Sequence, residues 1–297
     1  MKRAGYEVIA NDHNAYAHTL GQCYVQADRK RIYSDAERLI AELSKLPARP
    51  GYFTETFCEK SRFFHPKNGA RIDAIREALE TKGLEPELFA VLLVSLMEAA
   101  DRVDSTTGVQ MAYLKQWAKR AHNELELRMP DVLPGDGEAW GLDVLEAAKK
   151  LAERDIDVVY LDPPYNQHSY LGNYHVWESL VRWDKPEVYG KACKRVDCRS
   201  YKNRFNSKRK LSDALTEVVS TLRARHLIVS FNNEGYLSRD DMLTILGAYG
   251  HVRVVELDFK RYVGAQIGIY SPKGQKVGRV SHLRNVEYLF LGSQKHA

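Results

Sequence analysis

The sequence predicts an α/β fold: a mostly parallel sheet with an antiparallel edge strand, joined to a mainly helical insertion. Three observations support this prediction. Apolar runs of strand length alternate with amphipathic helical segments after Pro130. The last two apolar runs follow each other without a helix between them, which is typical of an antiparallel pair at a sheet edge. Residues 32–131, in contrast, show helical spacing over most of their length.

Five apolar runs are predicted to be strands. They lie at residues 6–10, 157–161, 226–231, 252–257 and 286–291. Helical spacing occupies residues 142–153, 211–224 and 239–248, between the later runs. This alternation indicates a parallel sheet, because parallel neighbours need a long crossover connection that is usually a helix.

Residues 32–131 are predicted to be a helical insertion. Helices are expected at residues 35–46, 68–81 and 86–103, where apolar residues recur on one face and polar loops separate the segments. We therefore predict a catalytic domain of residues 1–31 and 132–297, interrupted by the insertion at residues 32–131.

The composition is that of a globular protein. The chain has 297 residues, 44% hydrophobic and 28% charged, which fits a core domain with an insertion. No run approaches the roughly 20 apolar residues of a membrane span, and the first residues lack a signal-peptide core. We expect a cytoplasmic protein without a membrane partner. Four scattered cysteines form no Cys-x-x-Cys pair, which favours reduced thiols over structural zinc.

Basic residues cluster in one segment, residues 194–210. The net charge of +5 and the pI of 8.8 are modest, but here eight basic residues stand against Asp197 alone. On charge alone, a solvated face and a nucleic-acid surface both stay open. The basic residues are Lys194, Arg195, Arg199, Lys202, Arg204, Lys208, Arg209 and Lys210.

The motif Asp162-Pro163-Pro164-Tyr165 directly follows the apolar run at residues 157–161. The prolines end that strand, because proline cannot donate to a central ladder. Since the run is apolar throughout, we expect it to be a central, buried strand. Open α/β sheets bind ligands at the carboxyl ends of their strands, so this end is a candidate site. An isolated Asp-Pro pair would instead indicate a turn or a helix cap.

The motif resembles the catalytic motif of S-adenosylmethionine-dependent amino-group methyltransferases, especially the site-specific DNA adenine-N6 enzymes. Residues 165–175 and 185–186 look like one branch of that family, and residues 230–235 look like its next strand and loop. The resemblance implies a Rossmann-like methyltransferase sheet, S-adenosylmethionine as methyl donor without a metal, and double-stranded DNA as substrate. It also implies a role in restriction–modification, with a cognate restriction endonuclease as partner.

The resemblance implies a chemical role for each residue of the motif. The exocyclic amino group of adenine is a poor nucleophile, because its lone pair is delocalised into the ring. The Asp162 carboxylate and the Pro163 carbonyl would accept its two hydrogens, with Pro163 and Pro164 making the backbone rigid. Tyr165 would stack on the base after the base is flipped out of the duplex.

Two further acids resemble cofactor-binding residues. Asp12 follows the strand at residues 6–10, where the family places the acid that binds the ribose hydroxyls. Asp143 resembles the acid that contacts the adenine of the cofactor, although a helix N-cap is an equal alternative. We expect His168 and His175 to be structural or solvent-facing.

The resemblance also implies two DNA-contacting regions. The basic segment at residues 194–210, together with Asn166, is expected to contact phosphates, which position a duplex without reading its sequence. Residues 32–131 are expected to read the target, including Thr54-Glu55 and Ser61-Arg62.

The glycine-rich cofactor motif of the family, Phe-x-Gly-x-Gly, does not precede the strand at residues 6–10. We therefore expect the first strand of the fold to be missing, from between the strands at residues 6–10 and 157–161. Three explanations stay open: a fragment or mis-started product, a split enzyme complemented by an N-terminal polypeptide, and an inactive remnant that binds DNA. We expect the isolated chain to bind S-adenosylmethionine weakly or not at all.

Two other functional classes remain alternatives. Related motifs serve RNA and protein amino-group methyltransferases, although the helical insertion favours DNA. A binding module that holds DNA without chemistry is the other alternative.

Overall fold

The computed structural model describes residues 1–106, 108–260, 269–270, 276–278 and 284–294. The chain forms two compact units. The first unit comprises Met1–Val144 and Tyr170–Tyr201, and the second comprises Leu145–Ser169 and Lys202–Ala297. The predicted helical insertion lies within the first unit, together with the residues that flank it.

The elements alternate between helices and strands along the chain. The strands are β1 (Ile9–Asn11), β2 (Glu138–Trp140), β3 (Ile156–Leu161), β4 (Val188–Tyr189), β5 (Lys194–Arg195), β6 (Ala224–Asn232), β7 (Gly250–Lys260), β8 (Ile269–Tyr270), β9 (Lys276–Gly278) and β10 (Arg284–Gln294). The α-helices are α1 (Ala15–Gly21), α2 (Arg29–Ser44), α3 (Tyr52–Thr54), α4 (Pro66–Glu80), α5 (Pro86–Asp101), α6 (Val144–Leu151), α7 (Tyr170–Asn173), α8 (His175–Arg182), α9 (Asp197–Ser200), α10 (Leu211–Thr221) and α11 (Arg239–Gly247). No helix in these described ranges is long and apolar enough to cross a membrane.

Local sequence explains where the predicted helices begin. Helices α4 and α5 each start with a proline, whose missing N–H costs nothing in a first turn. Helix α11 starts with a capping box in which Ser238 and Asp241 satisfy each other's backbone N–H groups. The predicted helices at 68–81, 86–103, 211–224 and 239–248 are confirmed as α4, α5, α10 and α11, with ends that differ by a few residues.

The first unit combines a small parallel sheet with a helical core. Strands β1 and β2 run parallel, with Asn11 opposite Trp140. Helix α5 is buried on most sides, and the core also takes side chains from α2, α4 and α8. Trp177 of α8 packs on the same core as Phe53 and Phe57. The predicted insertion therefore shares its hydrophobic core with residues that follow the Asp-Pro-Pro-Tyr motif.

The second unit contains a four-stranded mixed sheet in the order β3-β6-β10-β7. Strands β3 and β6 are parallel, and β10 is antiparallel to both β6 and β7. The predicted antiparallel pair at the sheet edge is confirmed as β7 and β10. The prediction that the antiparallel strand itself forms the edge is wrong, since β10 lies between β6 and β7, and the edge strand β7 runs parallel to β6.

The prediction that residues 157–161 form a central, buried strand is wrong for this structure. Strand β3 lies at an edge, and in the described part of the chain only β6 pairs with it. The side chains of Val158 and Tyr160 are 41% and 58% exposed. The apolar side chains of this run are typical of a buried strand, but no described element packs against Val158 and Tyr160.

One face of the mixed sheet is packed, and the other is partly exposed among the described residues. Leu227, Val229 and Phe290 are buried, on the face against which α11 contacts β7 and β10. The strand registers place Val158 and Tyr160 on the opposite face with Ile228, Leu257, Leu289 and Leu291, and Leu257 is 47% exposed. Exposed apolar side chains on one sheet face, among the described residues, are typical of an interaction surface.

Candidate active site

Asp162 lies immediately after β3, at the carboxyl end of the sheet of the second unit. Its Oδ1 accepts a hydrogen bond from the Ser230 hydroxyl at 2.8 Å. Ser230 belongs to β6, whose Val229 is paired with Leu161 of β3. In the described part of the chain, no donor contacts the second oxygen, Oδ2. The carboxylate is exposed, with one oxygen held and the other open to a ligand.

Tyr165 is held by the strand beside it and by the loop that follows that strand. Its ring meets Phe231 edge-on, with centroids 5.6 Å apart, and the Tyr236 N–H donates to its carbonyl at 2.9 Å. Burial raises the pKa of Tyr165, and the carboxylate of Glu287 raises it further, so the phenol is neutral. Gly235 is required here, because a Cβ would lie 2.2 Å from the Phe231 ring.

Asp12 and Asp143 follow the two parallel strands of the first unit. The Asp12 N–H donates to the Trp140 carbonyl at 3.1 Å, which extends the β1–β2 pairing by one residue. Its Oδ1 accepts hydrogen bonds from the N–H and the side-chain amide of Asn14 at 2.8 and 3.0 Å. Asp143 lies exposed between β2 and α6. A cavity of about 240 Å³ has Asp12, His18 and Trp140 on its walls.

Tyr201 and His13 form an aromatic pair beside these acids that the sequence did not suggest. Their rings stack with centroids 5.5 Å apart and an interplanar angle of 10°. Burial raises the pKa of Tyr201, and the carboxylates of Asp143, Asp12 and Glu178 raise it further. The phenol of Tyr201 is therefore within electrostatic reach of both predicted cofactor acids. No motif marks Tyr201, which is distant in sequence from both.

Arg195 is a structural residue, which corrects the prediction that it contacts DNA. Its side chain is 1% exposed, and its two terminal nitrogens donate to the two carboxylate oxygens of Asp184 at 2.7 Å each. Asp197 accepts a further bond at 2.8 Å. The guanidinium is thus bound by the carboxylates of Asp184 and Asp197 and is not available to a phosphate.

The other predicted DNA-contacting residues lie nearer the surface. Arg199 stacks over Tyr189 at 3.8 Å, and Arg204 forms an ion pair with Glu217 at 2.7 Å. The carbonyl of Asn166 accepts a hydrogen bond from the Asn206 amide at 2.7 Å. Lys194 is half-buried. The remaining predicted residues are exposed, namely Lys202, Lys208, Arg209 and Lys210.

Two residues predicted to read the target sequence are interior. Thr54 and Ser61 are 2% and 1% exposed. The Thr54 hydroxyl donates to Asp73 at 2.6 Å, and the Ser61 hydroxyl donates to a backbone carbonyl. Their hydroxyls are bonded inside the first unit, so these two side chains of the predicted target-reading region are not available to bases. Glu55 is exposed, and the Arg62 guanidinium lies 4.5 Å from the Trp117 ring centre.

His175 is buried at the start of α8 and is not positioned for catalysis. Its Nε2 donates to the Ala192 carbonyl at 2.8 Å. Burial lowers the pKa of His175 to about 4, so the ring is neutral in the folded protein at neutral pH. His168 is exposed in the loop after the motif.

We expect His175 to make folding sensitive to acid. Between pH 6.5 and 4 the unfolded chain binds a proton at His175 that the folded chain does not, so stability falls as the pH falls through this range. The slope is at most about 1.4 kcal/mol per pH unit. His175→Gln keeps a donor for Ala192 but does not titrate. Urea unfolding from pH 7 to 4 should therefore show a flatter dependence for the variant, and equal slopes would contradict this assignment.

The described ranges contain no group of three or more His, Cys, Asp or Glu side chains arranged to hold a metal ion. The four cysteines are free thiols.

Comparison with known proteins identifies the family. A family profile of D12 class N6 adenine-specific DNA methyltransferases matches residues 1–245. The type II methyltransferase M.FokI of Planomicrobium okeanokoites is 34% identical over 213 residues, which is 69% of this chain and 32% of that protein. M.NlaIII of Neisseria lactamica is 28% identical over 293 residues, 96% of this chain and 83% of its own. The StsI modification methylase of Streptococcus sanguinis is 30% identical over 223 residues, 71% of this chain and 34% of its own.

The chain spans about a third of the FokI and StsI enzymes and most of the NlaIII enzyme. No solved structure matches it significantly. The family profile covers most of the chain and includes β1, β3 and the Asp-Pro-Pro-Tyr motif. The chain belongs to the D12 class of N6 adenine-specific DNA methyltransferases.

Proposed function

We propose that this protein methylates the exocyclic amino group of adenine in a specific duplex DNA sequence, as the modification part of a restriction–modification system. The observation that carries the proposal is Asp162: a carboxylate at a strand end with one oxygen fixed by Ser230 and the other open. Family membership and the type II methyltransferase relatives support the same reaction.

The motif residues would activate and hold the target base. The Asp162 carboxylate and the Pro163 carbonyl accept the two amino hydrogens, which turns the nitrogen lone pair out of conjugation. Tyr165 stacks on the flipped base, a contact worth about 1–3 kcal/mol. Its packing against Phe231 restricts the orientation of the ring for this purpose.

The first unit fits the adenosine part of S-adenosylmethionine. Asp12 and Asp143 are acids at the ends of adjacent parallel strands, and the ring pair of His13 and Tyr201 lies beside them. Asp12 would hold the ribose hydroxyls and Asp143 the cofactor's adenine. When bound, S-adenosylmethionine supplies an activated methyl group as a sulfonium. The glycine-rich motif that would approach the methionine part is absent from the sequence.

We propose that DNA phosphates are bound by the exposed members of the basic segment. Lys208, Arg209 and Lys210 are exposed and lie next to the start of α10. Such contacts supply affinity and register without reading bases. Residues 32–131 are proposed to read the target sequence through surface residues rather than through Thr54 or Ser61.

A further polypeptide segment is proposed to complete the mixed sheet. Strand β3 has one unpaired edge among the described elements, and the adjacent face exposes Val158, Tyr160 and Leu257. A strand at that edge would satisfy open backbone groups, and a helix on that face would remove apolar surface from water.

The chain alone is expected to bind S-adenosylmethionine weakly. Asp12 and Asp143 contact the adenosine part, but this sequence contains no glycine-rich motif that would contact the methionine part of the cofactor. Calorimetric titration of the purified chain should therefore give no saturable binding at micromolar concentration. Micromolar affinity would contradict the expectation that this chain binds S-adenosylmethionine weakly.

A tritiated-methyl transfer assay tests the function. The protein is produced from its own locus with the flanking genes, so that any complementing polypeptide is present. Duplex DNA, RNA and protein are offered as acceptors, and label is expected in duplex DNA. Label in RNA or protein would favour those substrates instead. Salt-sensitive DNA binding without label in any acceptor would favour the binding module.

A further inference from the structure

Ser230 contacts the Asp162 carboxylate from the neighbouring strand. Its hydroxyl donates to Asp162 Oδ1 across 2.8 Å, and the pairing of Leu161 with Val229 places the two residues side by side at the end of the sheet. Ser230 is 5% exposed, whereas Asp162 is exposed. A buried donor on a regular strand therefore holds an acceptor that faces solvent.

This hydrogen bond restricts how Asp162 presents its oxygens. The carboxylate turns about a bond with a broad, roughly two-fold torsional preference, so an exposed aspartate without a partner has several orientations of similar energy. Donation from Ser230 selects one of them and occupies a lone pair of Oδ1. The other oxygen, Oδ2, is then the one available to an incoming amino group, and its position is set before the base arrives.

A second carboxyl group makes the restraint more important. Glu287 lies opposite Asn232 on β10, on the face of the sheet that also carries Ser230. Burial raises the pKa of Glu287, and the negative charge of Asp162 raises it further. Like charges repel, and an exposed Asp162 relieves that repulsion by turning into solvent. The Ser230 hydroxyl opposes this rotation.

We propose that Ser230 is a positioning residue for methyl transfer: its hydroxyl orients Asp162 so that Oδ2 accepts a hydrogen of the adenine amino group. The inference rests on the proposed function. Ser230 touches no reacting atom and acts through Asp162. Removal of its hydroxyl should therefore slow turnover and leave DNA binding largely intact, because phosphate contacts supply most of the affinity.

The test compares Ser230→Ala and Ser230→Thr on the duplex sequence that the protein methylates. Ser220→Ala, at the exposed end of α10, is the matched control. Ser230→Ala is expected to lower kcat roughly 10- to 100-fold, the cost of misplacing a reacting group by about 1 Å, with KM for S-adenosylmethionine unchanged. Ser230→Thr retains the hydroxyl and should recover most of kcat. Ser220→Ala should match the wild-type protein.

A second readout needs no methyl donor. The affinity for a duplex with adenine at the target is compared with that for a duplex carrying purine, which lacks the amino group. The wild-type protein and Ser230→Thr should prefer adenine, and Ser230→Ala should lose much of that preference. Wild-type kcat and preference in Ser230→Ala would overturn the role of Ser230 alone, as would equal losses in the alanine and threonine variants. A wild-type protein that methylates no duplex would overturn the proposed function, and this inference with it.

Discussion

Replacing Asp162 by alanine is expected to abolish methyl transfer and to leave most of the affinity for duplex DNA. Alanine removes the acceptor that draws an amino hydrogen out of the adenine plane, so the lone pair stays delocalised. Losing one preorganised electrostatic group at a reacting atom costs roughly 10²- to 10³-fold in rate, and losing the acceptor itself should cost at least that much. DNA affinity should persist, because it comes mainly from contacts to phosphates.

The measurement pairs methyl-transfer kinetics with DNA-binding titrations at several salt concentrations. Asp240→Ala is the control, because Asp240 is exposed on α11 of the same unit and lies outside the site. The control should match the wild-type protein in both measurements. Parallel loss of DNA binding and methyl transfer in Asp162→Ala, with folding intact, would argue against Asp162 as the acceptor of the amino group.

Replacing Arg195 by alanine is expected to destabilise the fold rather than to weaken DNA contacts. The change removes the buried cation that Asp184 and Asp197 share, and leaves them paired with the more exposed Arg182, at 2.9 and 3.1 Å. Breaking a buried ion pair by removing one partner costs about 3–5 kcal/mol, and both carboxylates are about a third exposed. We therefore expect a loss near the lower limit, about 3 kcal/mol in the free energy of unfolding, measured by urea denaturation.

Arg209 is the matched comparison from the same basic segment. It is exposed, so Arg209→Ala should change stability by less than about 0.5 kcal/mol. The affinity of the Arg209→Ala variant for DNA should fall similarly for all sequences. The magnitude of the slope of log affinity against log salt should fall by about one. An Arg195→Ala protein of wild-type stability that has lost DNA affinity would reverse these two assignments.

The positions of helices and strands along the chain could be predicted better than the strands and side chains that each of them contacts. Helices α4, α5, α10 and α11 follow from apolar spacing together with local start signals such as the Ser238–Asp241 capping box. Strand β2 could not be predicted in this way, because its three residues, Glu138–Trp140, are too few to show a periodicity. Without β2, the sequence alone gave no reason to place Asp143 beside Asp12, although both were recognised by resemblance.

Burial and pairing partners were the weakest part of the prediction. Arg195 looked like its basic neighbours, since nothing local shows that Asp184 binds it bidentately. Ser230 was not identified because its role depends on the register between β3 and β6. The apolar run of β3 indicated burial that the described structure does not provide. That discrepancy is the basis for proposing a further segment against β3.

The most direct test of the central claim is a base-resolved map of N6-methyladenine. The locus is cloned with its flanking genes into a host whose own DNA lacks adenine methylation, in wild-type form and as Asp162→Ala. The wild-type locus should place N6-methyladenine within one short duplex sequence, and Asp162→Ala should leave that sequence unmodified. Unmodified DNA from the wild-type locus, or a methylation pattern that survives Asp162→Ala, would contradict the account.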